Sequence, residues 1–271
     1  MNKLKSPLRY PGGKQKALSK IEKYLPMKIS EFREPFVGGG SVFLYVKSNF
    51  ECNNFWINDL NPELYFFWKI LKENPKELVE AVSFIKNIET DGRKLFNQLA
   101  QADTQKMTDL ERATRFFVLN RITFSGTIES GGYSEASFHS RFTKSSIQRL
   151  LDLENTFADV KVSNLDYSLL LNEAGKDVFI FLDPPYLSKT QSRLYGKKGN
   201  LHIDFDHVKF AQEMEKCTHK WLITYDDCQE IRDNFSFAYI YEWELQYGMN
   251  NYKQSSAKKG KELFISNYFI G

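Results

Sequence analysis

Short apolar runs at both ends of this chain enclose a long stretch in which hydrophobic residues recur at helical spacing. The short runs are rich in β-branched and aromatic residues, which is the pattern of strands buried in a sheet. They predict strands at 31–37, 55–59, 178–182, 220–225, 237–241 and 263–268. Apolar and polar spacing outside the central stretch predicts helices at 16–25, 42–46 and 208–217.

The central stretch, from Pro62 to about Leu153, predicts helices at 64–71, 77–88 and 110–119. Within it, the glycine-rich and polar segment 123–133 predicts a loop or hairpin. Strands on either side of a helical block favour an α/β fold with a parallel sheet and an inserted, mainly helical domain. We place the three parts of the chain at 1–61, 62–150 and 151–271.

The tetrapeptide Asp183-Pro184-Pro185-Tyr186 directly follows the apolar run at 178–182. Two prolines cannot continue a strand, so the chain leaves the sheet at its carboxyl end, where open α/β sheets bind ligands. Such a turn suits a flat aromatic amine, because Asp183 and the Pro184 carbonyl can accept from its NH2 group while Tyr186 stacks on the ring. A plain proline turn with a surface aspartate is the alternative.

A tri-glycine turn follows the first predicted strand, in the segment Glu34-Pro35-Phe36-Val37-Gly38-Gly39-Gly40-Ser41. Glycines let the backbone approach a ligand closely, because no Cβ stands in the way. The spacing of a phosphate-binding loop is absent. A tight turn from strand to helix, without a ligand, is the alternative.

Two further polar residues are candidates for ligand contacts. Asp59 lies about 20 residues after the glycines and ends the next strand, where dinucleotide-binding folds place an acid on a ribose. Its alternative role is a helix N-cap. Lys14, in the segment Tyr10-Pro11-Gly12-Gly13-Lys14, is a candidate carboxylate anchor, with an exposed surface lysine as the alternative.

Composition narrows the class of protein without identifying its ligand. The 271 residues are 42% hydrophobic and 26% charged, with a net charge of +3, so any nucleic-acid contact must rest on local basic patches. Three widely spaced cysteines imply neither a disulfide framework nor a zinc site, and the four histidines form no cluster. We expect a cytoplasmic protein with no bound metal and no membrane contact.

Four segments of the chain, in this order, together resemble the Dam-like DNA adenine-N6 methyltransferases, the α group or D12 class. They are Tyr10 to Lys14, Pro35 to Ser41, Asn58-Asp59 and Asp183 to Tyr186. Segments 205–207 and 262–268 are also similar to later parts of that family. The resemblance implies a Rossmann-like, S-adenosyl-L-methionine-dependent methyltransferase sheet with an inserted target-recognition domain. It also implies double-stranded DNA as the substrate.

The resemblance implies roles for individual residues. The methyl donor would contact Tyr10, Lys14, Phe36, Gly38, Gly39, Gly40, Ser41, Asp59 and Asp183. Among these, Lys14 would lie near the methionine carboxylate and Asp59 would bind the ribose. Asp183, Pro184, Pro185 and Tyr186 would form the catalytic site and grip an adenine that has been swung out of the duplex.

Residues Asn120 to Gly126 resemble the family segment N-R-x-x-F-N-G, which leads into a DNA-contacting hairpin. Members that methylate GATC usually carry an arginine soon afterwards, whereas Glu129 stands in this region here, so we expect a different adenine-containing site. Candidate DNA contacts are Asn120, Arg121, Ser125, Arg141, Lys144, Lys197 and Lys198, with Arg149, Lys189 and Arg193. Ordinary solvated charges are the alternative for each basic residue.

The sequence is compatible with more than one biological context. The enzyme would act either alone or beside a cognate restriction endonuclease. Methylation of RNA or of a protein glutamine is a second enzymatic hypothesis, although those enzymes more often carry Asn at the first position of the tetrapeptide. A DNA-binding module without catalysis is the third, and the intact Asp183, Tyr186 and Lys14 disfavour it.

Overall fold

A seven-strand sheet organises the molecule in the computed structural model, which describes residues 4–128, 131–187, 205–245 and 260–270. The strand order is β3-β2-β1-β4-β5-β7-β6. Strands β1 to β5 are parallel, whereas β7 runs antiparallel to both β5 and β6. The strands are β1 Glu31–Glu34, β2 Asn54–Asn58, β3 Val160–Ser163, β4 Val178–Leu182, β5 Lys220–Asp226, β6 Tyr239–Leu245 and β7 Gly260–Ser266.

The centre of the sheet is β1, which pairs with β2 on one side and β4 on the other. Phe32 of β1 is opposite Phe55 and Phe179, and every residue of β4 is buried. The chain builds β2 and β3 on one side of β1 and then returns to build β4 and β5 on the other. The order of the strands therefore reverses between β1 and β4, which is where open α/β sheets form a ligand-binding crevice.

Helices cover the sheet and fill the stretch between β2 and β3. Local signals fix several helix starts: Pro62 follows the N-cap Asn61, and Thr108 forms a capping box with Glu111. The described helices are α1 Leu18–Ile21, α2 Ser41–Asn49, α3 Pro62–Glu73, α4 Pro75–Ile88, α5 Gly92–Gln101, α6 Asp109–Ile122, α7 Glu135–Arg141, α8 Lys144–Leu151, α9 Tyr167–Asn172, α10 His207–Lys216 and α11 Gln229–Asn234.

The helices α3 to α8 share one hydrophobic cluster with the sheet. Phe67 and Phe117 from these helices belong to the same buried group as Phe32 of β1 and Phe43 of α2. Trp68 of α3 reaches further and donates from Nε1 to the carbonyl of Gly38 at 3.1 Å. The predicted helical stretch is thus confirmed, while its boundaries as a separate domain stay a prediction.

Several elements have no individual counterpart in the sequence-based prediction: strand β3 and helices α5, α7, α8, α9 and α11. Strand β3 is a four-residue edge strand with only two buried positions, too short for its alternation to stand out. Helix α9 has six residues and begins at Asp166, whose side chain accepts from the N–H of Ser168. The predicted helix at 16–25 is a four-residue helix flanked by short 3-10 turns.

The predicted loop at 123–133 is closed by an antiparallel bridge between Thr123 and Tyr133, in agreement with a hairpin. Among the described residues, we find no helix with the length and apolar character required to cross a membrane.

Candidate active site

A cavity of about 450 Å³ opens at the carboxyl ends of β1, β2 and β4. Its walls come from loops that follow those strands and from the segment that precedes α1. The lining residues lie in 10–14, 34–42, 58–61, 165–167, 183–186 and 205–209. The position is the strand-order reversal, as expected for a ligand site in this sheet.

The tri-glycine turn forms one wall and packs against Tyr10. Gly38 and Gly40 adopt φ angles of 47° and 68°, which L side chains rarely adopt. A Cβ on Gly38 would lie 2.8 Å from the Tyr10 ring, and one on Gly40 would lie 2.9 Å from Trp68. The glycines therefore permit both the turn and the close approach of two aromatic rings.

Asp59 is tied to this turn through the backbone. Its Oδ2 accepts from the N–H of Gly38 and its Oδ1 from the N–H of Asn61, each at 3.0 Å. Burial raises the pKa of Asp59 to about 6, and the two backbone N–H groups oppose that rise. The N-cap of α3 is Asn61, so Asp59 does not have the capping role considered above.

Glu34 adds a second buried carboxyl to the cavity wall. Its side chain is 3% exposed, and no partner is found for Oε2 among the described residues. Burial raises the pKa of Glu34 well above its usual range; the backbone N–H of Phe43 opposes that rise, while the charges of Asp183 and Asp59 add to it. Glu34 consequently retains its proton more readily than an exposed glutamate does.

Asp183 and Lys14 form an ion pair in the cavity, with Nζ 2.8 Å from Oδ1. Lys14 is 5% exposed and also donates to the carbonyl of Gly12 at 3.1 Å. The hydroxyl of Thr224 on β5 donates to the same Oδ1 at 2.8 Å. The other oxygen, Oδ2, has no hydrogen-bond partner among the described residues.

Tyr186 completes the tetrapeptide at the back of the cavity. Its ring centroid lies 5.0 Å from Lys14 Nζ and 5.9 Å from the ring of Tyr225. The Tyr186 hydroxyl donates to Glu262 Oε2 at 3.0 Å, and burial raises the pKa of this phenol well above its usual range. The tetrapeptide is thus held by side chains from β5 and β7.

Comparison with known proteins identifies the family of this chain. A profile described as D12 class N6 adenine-specific DNA methyltransferase matches residues 10–249. The chain belongs to this family. It is 26% identical to the type II methyltransferase M.MjaIII of Methanocaldococcus jannaschii, over 96% of this chain and 98% of that protein.

Two other relatives show the same pattern. The chain is 25% identical to the type II methyltransferase M1.LlaDCHI of Lactococcus lactis subsp. cremoris, with 96% and 94% of the two chains covered. It is 29% identical to the DNA adenine methylase of Vibrio cholerae, with 80% and 78% covered. The protein is accordingly a DNA methyltransferase of the adenine-N6 class.

The methyltransferase cavity includes residues that sequence reasoning did not select. Leu165, Asp166 and Tyr167 line it from the loop between β3 and α9. The Tyr167 ring lies 5.6 Å from the Phe36 ring and 5.9 Å from the Phe205 ring. The signal that could have found them is an Asp-Tyr pair after a strand, but β3 itself was not predicted.

Two residues predicted to contact DNA are buried in the methyltransferase. Asn120 accepts from the N–H of Arg9 at 2.9 Å and donates to the carbonyl of Arg9 at 2.7 Å. Arg121 donates to the carbonyl of Pro7. In this structure both side chains therefore anchor the segment that precedes Tyr10 to helix α6, and neither lies on the surface.

The remaining candidates lie on the surface or outside the described residues. Ser125, half-buried with a φ of 54°, lies in a tight turn beside Phe124, which is 66% exposed. Arg141, Lys144 and Arg149 are exposed. The predicted contacts Lys189, Arg193, Lys197 and Lys198 fall outside the described part of the chain.

Arginines form a local positive cluster near α6. Burial lowers the pKa of Arg121 to about 9, and the charges of Arg149, Arg9 and Arg141 contribute to that lowering. Arg9 donates to the carbonyl of Thr123 and to the hydroxyl of Ser137. Among the described residues, we find no ion pair between these four arginines and an acidic side chain.

Proposed function

We propose that this cavity binds S-adenosyl-L-methionine and that the enzyme methylates N6 of an adenine swung out of duplex DNA. The observation that supports the proposal most directly is the set of contacts that Asp183 makes at the end of β4. One oxygen of this carboxylate is occupied by Lys14 and Thr224, while Oδ2 has no partner among the described residues. A carboxylate oxygen available beside a ligand cavity suits an exocyclic amine.

The cavity fits the donor by its chemistry. The carboxylate of Asp59 can accept from the two ribose hydroxyls, since each of its oxygens accepts only one backbone N–H. The rings of Phe36 and Tyr167 offer aromatic surface for the donor's base. We therefore assign the donor to the side of the cavity formed by β1, β2 and α9, in a Rossmann-like arrangement.

The target adenine would then occupy the side of the cavity formed by the tetrapeptide. Asp183 Oδ2 and the carbonyl of Pro184 accept from N6, and the Tyr186 ring packs against the base. The donor supplies an electrophilic methyl group. Because the N6 lone pair is delocalised into the ring, acceptors that favour a more tetrahedral nitrogen raise its reactivity, and most of the acceleration comes from positioning and electrostatics.

For the DNA-binding face, we propose the surface around the turn at 124–126. This surface suits phosphate contacts through Arg141, Lys144 and Arg149. A bound phosphate would relieve the charge repulsion among these side chains. Exposed Phe124 offers an aromatic surface for an unpaired base. The turn lies near the cavity, because a Cβ on Gly126 would be only 2.1 Å from the carbonyl of Arg9.

We further propose residues 62–150 as the target-recognition domain and a recognition sequence other than GATC. The relatives named type II methyltransferases support a restriction-modification context, and action without an endonuclease is the alternative. A cytoplasmic location would follow from the proposed DNA substrate.

Methyl transfer from an isotope-labelled donor tests the proposal. Duplex DNA, RNA and protein are offered in parallel, and the DNA is digested to identify the modified nucleoside. We expect N6-methyladenine in DNA alone. Asp183→Asn, which keeps the shape but weakens the acceptor, should slow transfer by about 100-fold or more.

Asp177→Asn is the matched control for this substitution. Asp177 lies just before β4, at the opposite end of the strand from Asp183, and is exposed. Its φ of 47° is one that asparagine tolerates, so the control should fold and transfer normally. Methyl groups found in RNA or protein, or an Asp183→Asn variant as active as the control, would contradict the proposal.

A further inference from the structure

Strand β5 places a buried hydroxyl beside the Asp183 carboxylate. In the register of the two strands, Leu182 of β4 is opposite Ile223 of β5. The next residues along each strand, Asp183 and Thr224, therefore lie side by side. Thr224 is fully buried, and its hydroxyl donates to Asp183 Oδ1 at 2.8 Å.

Lys14 forms an ion pair with the same oxygen, with Nζ also 2.8 Å away. One hydrogen bond and one ion pair on the same oxygen restrict the rotation of the carboxylate about its terminal bond, which is otherwise a soft torsion. Since Lys14 is nearly buried, the ion pair is also shielded from water. The consequence is that Oδ2 points in one direction in the absence of substrate.

Thr224 also touches the far end of the tetrapeptide. Burial chiefly raises the pKa of the Tyr186 phenol, and the Thr224 hydroxyl opposes that rise. One hydroxyl thus contacts the first and last residues of Asp183-Pro184-Pro185-Tyr186.

We propose that Thr224 is a positioning residue for methyl transfer, holding one oxygen of Asp183 so that the other is aimed at the adenine amine. The inference rests on the function proposed above. It goes beyond that function because Thr224 is fully buried outside the cavity lining and would act only through Asp183 and Tyr186. A misplacement of about 1 Å at a reacting centre can cost about 100-fold in rate, so a single orienting bond is sufficient to matter.

Three variants separate orientation from packing. Thr224→Val keeps the volume but removes the hydroxyl, whereas Thr224→Ser keeps the hydroxyl and removes a methyl group. Thr114→Val is the matched control, because Thr114 is buried in α6 and its hydroxyl has no described partner. The readouts are the single-turnover rate of DNA methylation, the dissociation constant of the donor, and the thermal midpoint.

We expect Thr224→Val to slow methyl transfer by about 10- to 100-fold, in line with the removal of one orienting donor. Donor affinity should stay within about threefold of wild type, because Thr224 acts on the acceptor rather than on the donor site. Thr224→Ser should restore most of the rate, and Thr114→Val should behave as wild type. A packing role alone would predict the opposite order, with Ser worse than Val.

Two results would overturn the proposal: transfer by Thr224→Val at the rate of the Thr114→Val control, or transfer by Thr224→Ser as slow as that by Thr224→Val. If Thr224→Val does not fold, the pair Thr224→Ala and Thr224→Ser gives the same comparison, and equal rates for that pair contradict the inference. Absence of N6-methyladenine with the wild-type enzyme would instead refute the proposed function, so the two failures are distinguishable.

Discussion

Lys14 has two candidate roles, one implied by the family resemblance and one indicated by the structure. The family resemblance assigned it to the donor's methionine carboxylate, whereas the structure pairs it with Asp183. The two roles have different kinetic signatures. A role in donor binding would change the dissociation constant of the donor, and a role in holding Asp183 would change the rate of transfer.

We predict that Lys14→Met lowers the single-turnover rate by about 100-fold and weakens donor binding by less than about tenfold. The reason is that Asp183 without its cation would be less firmly oriented. Lys16→Met is the control, because Lys16 is exposed in the same segment. A Lys14→Met variant with a normal transfer rate and weak donor binding would instead support a role for Lys14 at the donor carboxylate.

The second residue-scale prediction concerns Asp59 and pH. Burial raises its pKa from 3.8 to about 6, so the ligand-free site gains a proton as the pH falls through about 6. The carboxylate is the form that accepts two ribose hydroxyls. Donor binding should therefore weaken by up to about tenfold per pH unit below about 6 and be constant above about 7.

Titration calorimetry between about pH 5 and 8 in buffers of different ionisation heat checks this prediction. It should also detect proton release on binding near pH 6, since the bound ribose favours the carboxylate. Asp59→Asn should bind the donor more weakly with a flatter pH dependence. The other charged groups that line the cavity are Lys14, Glu34, Asp166, Asp183, Asp206 and Lys209. An unchanged pH profile in Asp59→Asn would contradict the assignment of the titration to Asp59.

At the scale of elements, Arg33 links the central strand to helix α9. The side chain is fully buried on β1, and its guanidinium pairs with Glu31. It donates to the carbonyls of Leu170 and Glu173 at 2.7 Å, at the carboxyl end of α9. The opposite end of α9 supplies Tyr167 to the cavity, so Arg33 contributes to the position of that wall.

We predict that Arg33→Met lowers the free energy of unfolding by about 3–5 kcal/mol, because it leaves buried carbonyls and a carboxylate without their cation. Chemical denaturation measures the change. Arg149→Met, which removes an exposed arginine, should change stability by less than about 0.5 kcal/mol. A decrease below about 1 kcal/mol in Arg33→Met would show that α9 is held by its apolar packing instead.

The same elements show what the sequence could and could not predict. The glycine turn and the tetrapeptide were predictable because Gly and Pro impose local geometry that no partner overrides. Strand β3 and the cavity wall formed by the loop after it were not predictable, because a four-residue edge strand is too short to show a clear alternation of apolar and polar residues. Asn120 and Arg121 have polar side chains that suggest the surface, and only the fold shows that they bond to Arg9 and Pro7.

At the scale of the whole molecule, the net charge of +3 conceals an uneven distribution. The arginines near α6 and α8 lie beside the turn at 124–126, whereas the acidic groups Glu34, Asp59 and Asp183 line the cavity itself. In the proposed complex, the DNA duplex therefore contacts the basic surface, and the extruded base is the only part of the DNA that enters the acidic cavity. This separation allows a weakly charged protein to bind DNA through one face.

We predict that exchanging Arg141, Lys144 and Arg149 for glutamine weakens DNA binding by at least about tenfold at about 0.1 M salt. The slope of log K against log salt should decrease by about 0.9 for each phosphate that the variant no longer neutralises. The charge-matched control exchanges Lys28, Lys176 and Lys216, which are exposed near the amino ends of β1, β4 and β5. Equal weakening in the two triple variants would place the DNA elsewhere.

The account depends on a donor and an extruded adenine meeting at one end of the sheet. A crystal structure with S-adenosyl-L-homocysteine and a duplex that contains the methylated site tests this most directly. We predict that the nucleoside lies against the turn at Gly38 to Gly40 with its ribose on Asp59, and that N6 of an unstacked adenine lies within about 3.2 Å of Asp183 Oδ2. A donor product bound away from that turn, or a target adenine still stacked in the duplex with Asp183 facing away from it, would contradict the account.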